Sequence, residues 1–401
     1  MPGPRILVLD HTAQEGGAEL ALLRLAEALG ADADLRVLLF ADGPLRDRLT
    51  DAGVRTAVLP LDPAVATASR DGVLAGAARS AISAIGFIPR LVRAIRGAKP
   101  ELVVAHSLKS AVFAAIAAPL AGRRWAWHLH DRLAPDYLPA VLVTAMRAIA
   151  AVGPRIVVAN SAATRATLPA RARRRAVIAY PGLPPEAFVP AAREGTAATP
   201  TVGIIGRISA TKGQREFLEA AALLAARRDG LRFAVVGAAL FGEEQGEPEM
   251  RQLADRLGIG DRVEFTGWVS DVPRRLRALD VVVHASPVPE PFGQVIVEAM
   301  AAGVPVVATA AGGVPEILDP GDPTPPARWR ATPTGVLTTP GDAGALADAL
   351  EAVLDDPAAA AARATAARAD AAERFTIERT ADVVRSAWGS ARAGARAARV
   401  R

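Results

Sequence analysis

The 401-residue chain contains no cysteine, which excludes a disulfide framework, a thiolate metal site and a thiol nucleophile. Lysine is nearly absent as well: of 47 basic residues only Lys99, Lys109 and Lys212 are lysines. The others are arginines in an alanine-rich background, so one arginine says little about function and a lysine says more. Aromatic residues make up only 4%, too few for base-stacking platforms, and a net charge of +5 is too small for a polyanion-binding surface, so no nucleic-acid partner is expected. No run of 18 or more apolar residues is free of charge, and no bilayer-spanning helix is expected. The opening MPGPRILVLD lacks the basic, long apolar leader of secretion, which points to a cytoplasmic protein.

Half of the residues are hydrophobic, and the length suggests two domains of about 190 residues each. Apolar runs of four to seven residues alternate with helical patterns from end to end, the signature of parallel sheets wrapped by helices. Strands are expected near RILVLD, LRVLLF, RTAVLP, LVVAHS, WAWHLHD, IVVANS and AVIAYPG, then near TVGIIGR, RFAVVG, RVEFTG, VVVHAS, PVVAT and TGVLTT. PAAREGTAATP interrupts the periodicity, giving an expected first domain at 1–190 and a second at 200–375. Residues 376–401 read as a helix, from about Thr376 to Trp388, and a tail after the second domain is complete. Two such sheets facing each other would leave a cleft. Residues 320–333 read as a long proline-rich loop without periodicity. Residues 73–97 read as amphipathic helix, with Arg79, Arg90, Arg93 and Arg96 leaving an apolar face that either packs on a sheet or lies peripherally at the inner face of a membrane. The run Arg171, Arg173, Arg174 and Arg175 is either a solvated helix end or a contact for anionic lipid.

The segment EPFGQVIVE fixes Glu290 and Glu298 eight positions apart, after a strand. Pro291 has the backbone angle favoured at a first helical position, which puts Glu290 in the preceding loop and Glu298 two turns on, with backbones roughly 12 Å apart. A glycosidase pair needs carboxyl groups about 5 to 9.5 Å apart, so these two fit the ends of one extended ligand better. The alternative is two surface glutamates flanking a helix. The position, at the carboxyl end of a strand, is where open α/β sheets bind ligands. Arg207 and Lys212 flank the start of a helix beginning near Gln214, where the dipole and first-turn amides already favour an anion. Two fixed cations there suit a diphosphate whose charge grows as it departs, although they could also be solvated loop charges. Gly16 and Gly17 precede a helix after the first strand and permit close approach to a ligand, but they do not form the Gly-x-Gly-x-x-Gly of a nicotinamide enzyme. All five histidines stand near expected strand ends, which favours one site. His128 and His130 share a strand face, but no third ligand stands at a convincing spacing and there is no Asp-x-Asp pair, so no metal is expected.

Together, GGAE near the start, HD at 130–131, GR and KG within 206–213, EPFGQVIVE and GGVPE at 312–316 resemble glycosyltransferase family 4, a retaining group with the GT-B fold. The resemblance covers nearly the whole chain and is strongest from Gly203 to Asp342; NS at 160–161, YPG at 180–182 and TGVLTTPGD also fit. It implies an α/β architecture of two Rossmann-like domains with parallel sheets facing a central cleft, acceptor on the first and nucleotide-sugar donor on the second. Arg207 and Lys212 match the diphosphate-binding positions, Glu298 the ribose-binding carboxylate, and Glu290 the carboxylate at the donor sugar. Phe292 and Gly293 match a loop whose amides approach sugar and phosphate. His130 matches the histidine near the anomeric carbon, and Gly16 and Gly17 match the loop closing on the diphosphate. The implied activity is metal-independent, cofactor-free hexosyl transfer with retention, from a UDP- or GDP-sugar to a hydroxyl acceptor, lipid-linked or otherwise, in glycan, glycolipid or cell-envelope polysaccharide synthesis. Two departures stand out: the usual second histidine after the fourth strand is Ser107, and the 320–333 loop is long. The alternatives are a sugar-nucleotide epimerase and a non-catalytic nucleotide-sugar binding protein on the same fold. The set Arg207, Lys212, Glu290 and Glu298 argues against the second of these.

Overall fold

The structure is a computed structural model that describes residues 3–61, 77–189, 199–239 and 245–393, with 77–85 as backbone only. Contacts divide the chain into two units: Met1–Gly182 with Ile377–Arg401, and Leu183–Thr376.

The first unit contains β1 (Arg5–Asp10), β2 (Asp34–Leu39), β3 (Arg55–Val58), β4 (Leu102–Ala105), β5 (Trp125–Leu129), β6 (Val157–Ala159) and β7 (Ala176–Ile178). They form one parallel sheet in the order β3-β2-β1-β4-β5-β6-β7. Each strand is a short apolar run because both faces are covered. In β1, Ile6 and Val8 point into one core and Leu7 and Leu9 into the other, following the two-residue alternation. The chain winds outward from β1 to β3 and then crosses back to β4, so β1 and β4 meet at the switch point where ligands bind in such sheets.

Two expectations change here. The last helix, Ile377–Ala393, belongs to the first unit: Ile377, Ala381, Val384, Trp388 and Ala391 recur at helical spacing and fill the core beneath β1, beside the helix Gly17–Leu29. In the helix Ala77–Ala98, Phe87, Leu91 and Ile95 are buried, with Phe87 edge-on to Phe40 at 4.9 Å and to Phe113 at 5.0 Å. Arg90, Arg93 and Arg96 face outward, so from Phe87 the apolar face is core; residues 73–76, and the side chains of 77–85 including Arg79, lie outside the described residues. The run after Leu168 is a short helix, Ala170–Arg173, and Arg175 caps the helix Ala140–Val152 by donating to the carbonyl of Ala151 at 2.9 Å.

The second unit repeats the winding with β8 (Thr201–Ile205), β9 (Arg232–Val236), β10 (Val263–Phe265), β11 (Val281–His284), β12 (Val306–Thr309), β13 (Trp329–Thr332) and β14 (Gly335–Thr338). Their order is β10-β9-β8-β11-β12-β14-β13, parallel except for β13 against β14. The expected loop at 320–333 therefore ends in a strand, Trp329–Thr332. Arg330 ties its proline-rich part down by pairing with Asp319 at 2.9 Å and Asp322 at 3.1 Å. The first crossing between units falls after Gly182, ahead of the expected linker, because Leu183 N–H donates to Phe375 at 2.8 Å and the turn Pro185–Phe188 packs on the helix Gln294–Ala302. Among the described residues no helix is long and apolar enough to cross a membrane.

Candidate active site

In the second unit the switch point lies between β8 and β11. The chain leaves β8 through Gly206 and Arg207 and starts the helix Gln214–Arg227 after Gly213, whose φ of +83° is left-handed. Only glycine fits at 213: a Cβ there would lie 2.0 Å from the carbonyl oxygen of Ala285, in the loop after β11. Ser286 fastens the two loops by donating to the carbonyl of Thr211 at 2.7 Å. Across this contact Lys212 Nζ reaches both carboxylate oxygens of Glu290, at 2.8 and 2.9 Å. The Glu290 side chain is 12% exposed and that of Lys212 34%. Burial alone would raise the Glu290 carboxyl, but the Lys212 charge and the nearby His284 outweigh it and hold it well below the usual carboxylate range. His284 Nε2 stands 3.5 Å from Glu290 and its Nδ1 3.3 Å from Thr309 Oγ1.

Backbone holds Glu290 as firmly as side chains do. Gly313 N–H donates to its carbonyl at 2.8 Å, and Glu290 forms a β-bridge with Gly312, whose φ is +67°. This pairing corrects the expected helix start. Residues 290–293 are not helical, Gly293 has a φ of +111°, and the helix is Gln294–Ala302. Glu298 is half-buried one turn into that helix, not two turns beyond Pro291, so helix rise does not set its spacing from Glu290. Phe292 is buried edge-on to Phe375 at 5.8 Å and anchors the loop, leaving its main chain as the part that can meet a ligand. The helices after Gly213 and Gly293 both start without a side-chain cap, two amino ends suited to an anion beside a lysine. Arg207, half-buried on the same loop, has its carbonyl held by Gln214 Nε2 at 2.9 Å.

In the first unit the switch point gathers a polar cluster. Asp10 ends β1 fully buried and accepts from His106 Nδ1 at 2.9 Å and from the main chain of His11 at 2.6 Å. Burial opposes its ionisation, but the hydrogen bonds from His106 and His11 prevail and hold its carboxyl below the usual range. His106 Nε2 meets His130 Nε2 at 2.9 Å, and His128 lies beside both, with ring centroids 5.2 and 4.5 Å away. Burial, and after it the neighbouring imidazoles, push His128 and His130 well below the ordinary histidine range. Asn160, at the end of β6, donates to the carbonyl of His130 at 3.0 Å. Ser107 caps the helix Leu108–Leu120 in a reciprocal pair with Ser110, which accounts for that departure from the family pattern. Gly16 precedes the helix Gly17–Leu29, which also starts without a side-chain cap and in which Glu19 is buried and raised to about 8, by burial and then by the Asp10 charge.

Residues 192–370 match the family described as glycosyl transferases group 1, and residues 16–190 the glycosyl transferase 4-like domain. The Anabaena protein HepE, crystallised with UDP and glucose and also with UDP-glucose, is 30% identical; with UDP and glucose bound it superposes over 96% of this chain and 100% of its own with a TM-score of 0.82. The chain belongs to glycosyltransferase family 4 and has the GT-B fold. This family 4 member is also 34% identical to a 2-deoxystreptamine glucosyltransferase of Streptomyces kanamyceticus over 184 residues, 45% of this chain and 43% of that one. It is 34% identical to a D-inositol 3-phosphate glycosyltransferase of Mycolicibacterium smegmatis over 235 residues, 56% and 50% of the two chains. It spans about half the length of the curated relatives it matches.

Of the expected site residues, the structure joins Lys212 to Glu290 with Phe292 and Gly293 in the same loop, and sets Arg207 on the Lys212 loop. His130, Gly16 and Gly17 belong to the first unit. Of the five histidines expected at one site, four are in the first unit, and His284 is in the second beside Glu290. Asp10 and Glu19 are not among the residues that the sequence singles out, nor is the pairing of His106 with Asp10. For Asp10 the one sequence signal is a charged residue closing the apolar run of β1.

Proposed function

We propose that the protein is a retaining hexosyltransferase that moves a sugar from a nucleoside diphosphate donor, with UDP preferred, to a hydroxyl acceptor in glycan, glycolipid or cell-envelope polysaccharide synthesis. The observation that carries this reading is the Lys212–Glu290 pair set against two uncapped helix amino ends at the β8/β11 switch point. A diphosphate needs cations and backbone amides, and the adjoining sugar hydroxyls need a carboxylate acceptor; the two are side by side here. Lys212 carries three N–H groups, of which Glu290 takes two, and the third serves a phosphate oxygen. With Arg207 it stabilises the charge that grows on the leaving diphosphate, where each well-placed donor lowers the barrier by roughly 3 kcal/mol. Glu290 binds donor sugar hydroxyls, Glu298 the ribose, and the Phe292–Gly293 main chain the sugar and phosphate. In the first unit, His130 is assigned to the reacting carbon, and Gly16 and Gly17 to the diphosphate.

The departing phosphate takes the acceptor proton on the face it leaves, a scheme that needs neither metal nor cofactor. The UDP preference rests on the likeness to HepE. The named acceptors of the relatives, an aminocyclitol and an inositol phosphate, differ too much to transfer to this chain. Membrane contact gains no support from 87–97, where the apolar face is core.

The test is a thermal-shift screen of the purified chain with UDP, GDP, ADP and their sugar conjugates, with and without EDTA, followed by NMR of the product's anomeric signal. Stabilisation by UDP-sugars that survives EDTA and a product of unchanged anomeric configuration are expected. An inverted product sinks retention, an isomerised sugar nucleotide formed without acceptor means an epimerase, and binding without turnover means a binding protein.

A further inference from the structure

The three histidines brought together by β4 and β5 do more than the transferase reading uses. We propose that His106, His128 and His130 form a binding site for one divalent transition ion of the zinc class, with Asp10 as its outer partner. One ring nitrogen from each residue lies within 4.8 Å of the other two. Three imidazoles with a fourth position left to water are a common ligand set for zinc, with metal–nitrogen bonds of about 2.0–2.1 Å that place neighbouring ligand atoms about 3.3 Å apart. The 2.9 Å between His106 Nε2 and His130 Nε2 opens slightly to reach that spacing, and His128 closes in.

Two further observations point to a ligand. An ionised carboxylate only accepts, so Asp10 fixes the proton of His106 on Nδ1 and leaves Nε2 for the ion, the carboxylate–histidine arrangement found behind metal ligands. His128 is 5% exposed, and its buried Nδ1 has no hydrogen-bond partner among the described residues. A bound ion moves that ring and gives the buried group a purpose. Binding forms three nitrogen–metal bonds, and the ring proton that His130 now shares with His106 moves to the other nitrogen of His130, so all three imidazoles bind neutral. The site does not depend on the transferase reading; an ion there takes up His130, so the metal-bound form is inactive in the transfer proposed above, which the metal-free form carries out.

Cobalt(II) added to the metal-free full chain should give visible absorption bands that saturate at one equivalent and vanish on adding zinc. His106→Asn and His128→Asn should each weaken binding more than 100-fold, and Asp10→Asn by about 10- to 100-fold. Absence of bands at 100-micromolar cobalt (~10⁻⁴ M), or full binding in both histidine variants, overturns the site. If the variants fail to fold, histidine-ring ¹⁵N NMR of the wild-type chain decides. Zinc should shift three rings and spare His11 and His284; shifts confined to those two would mean an adventitious ion only.

Discussion

Glu19 is 7% exposed and keeps its proton to about pH 8, because burial and the Asp10 charge both oppose ionisation. Between its ordinary value of 4.5 and about 8 the unfolded chain has lost this proton and the folded chain has not, so stability falls as pH rises through that window. The loss is on the order of a few kcal/mol and is complete above pH 8. Urea midpoints at three pH values across the window should fall in the wild type and stay nearly level in Glu19→Gln; equal slopes would remove Glu19 as the cause. Lys212 and Glu290 show the opposite case, an ion pair that must be kept whole. Lys212→Met leaves a nearly buried carboxylate uncompensated and should cost about 2 kcal/mol, discounted from the fully buried case because the lysine is one-third exposed. Adding Glu290→Gln should recover most of that stability and none of the turnover, a coupling readable by denaturation and kinetics together. Glu298→Ala should weaken nucleotide binding, while Glu290→Gln alone should reduce turnover more than binding. Equal losses in both would refute that division of roles.

Among the elements, the loop after β11 shows how backbone places chemistry. Gly312 lies where a Cβ would stand 2.0 Å from the Glu290 carbonyl oxygen, with a φ of +67° that alanine resists. Gly312→Ala should cost more than about 2 kcal/mol and lower turnover at least tenfold by displacing Glu290. Gly258 has a similar φ of +72° but nothing within 4 Å, so Gly258→Ala should cost about 1 kcal/mol and leave turnover unchanged. Comparable activity losses in both would mean that the bridge to Glu290 does not matter. The thirteen expected strands were legible because buried parallel strands are unbroken apolar runs. β13 was not: its sequence WRAT is short, half polar and follows a proline run, and only pairing with β14 makes it a strand. The helix does not start at Pro291 for a related reason, since the bridge from Glu290 to Gly312 overrides a local preference of the proline.

At the scale of the whole molecule, the chain leaves the first unit after Gly182 and returns to it at Ile377. The returning helix is a core component: Trp388 is 3% exposed among Val384, Ile377 and the β1 side chains Ile6 and Val8, and Arg392 reaches Glu101 at 2.7 Å. Trp388→Ala should destabilise the first unit by about 3–5 kcal/mol. In urea, fluorescence of the remaining tryptophans of that unit, Trp125 and Trp127, should report the earlier transition. An unchanged transition would show that the helix is an appendage after all.

By itself, the sequence determined the two-part α/β design, the positions of thirteen strands and the family, and it singled out Arg207, Lys212, Glu290 and Glu298 as candidates, because apolar runs and short motifs are local in the chain. Tertiary structure alone decided which strands lie side by side. That order set His106 against His130 and Asp10, and core packing returned the last helix to the first unit. Such neighbours are joined by sheet pairing and helix packing across tens to hundreds of residues, a distance over which no periodicity in the sequence carries a signal.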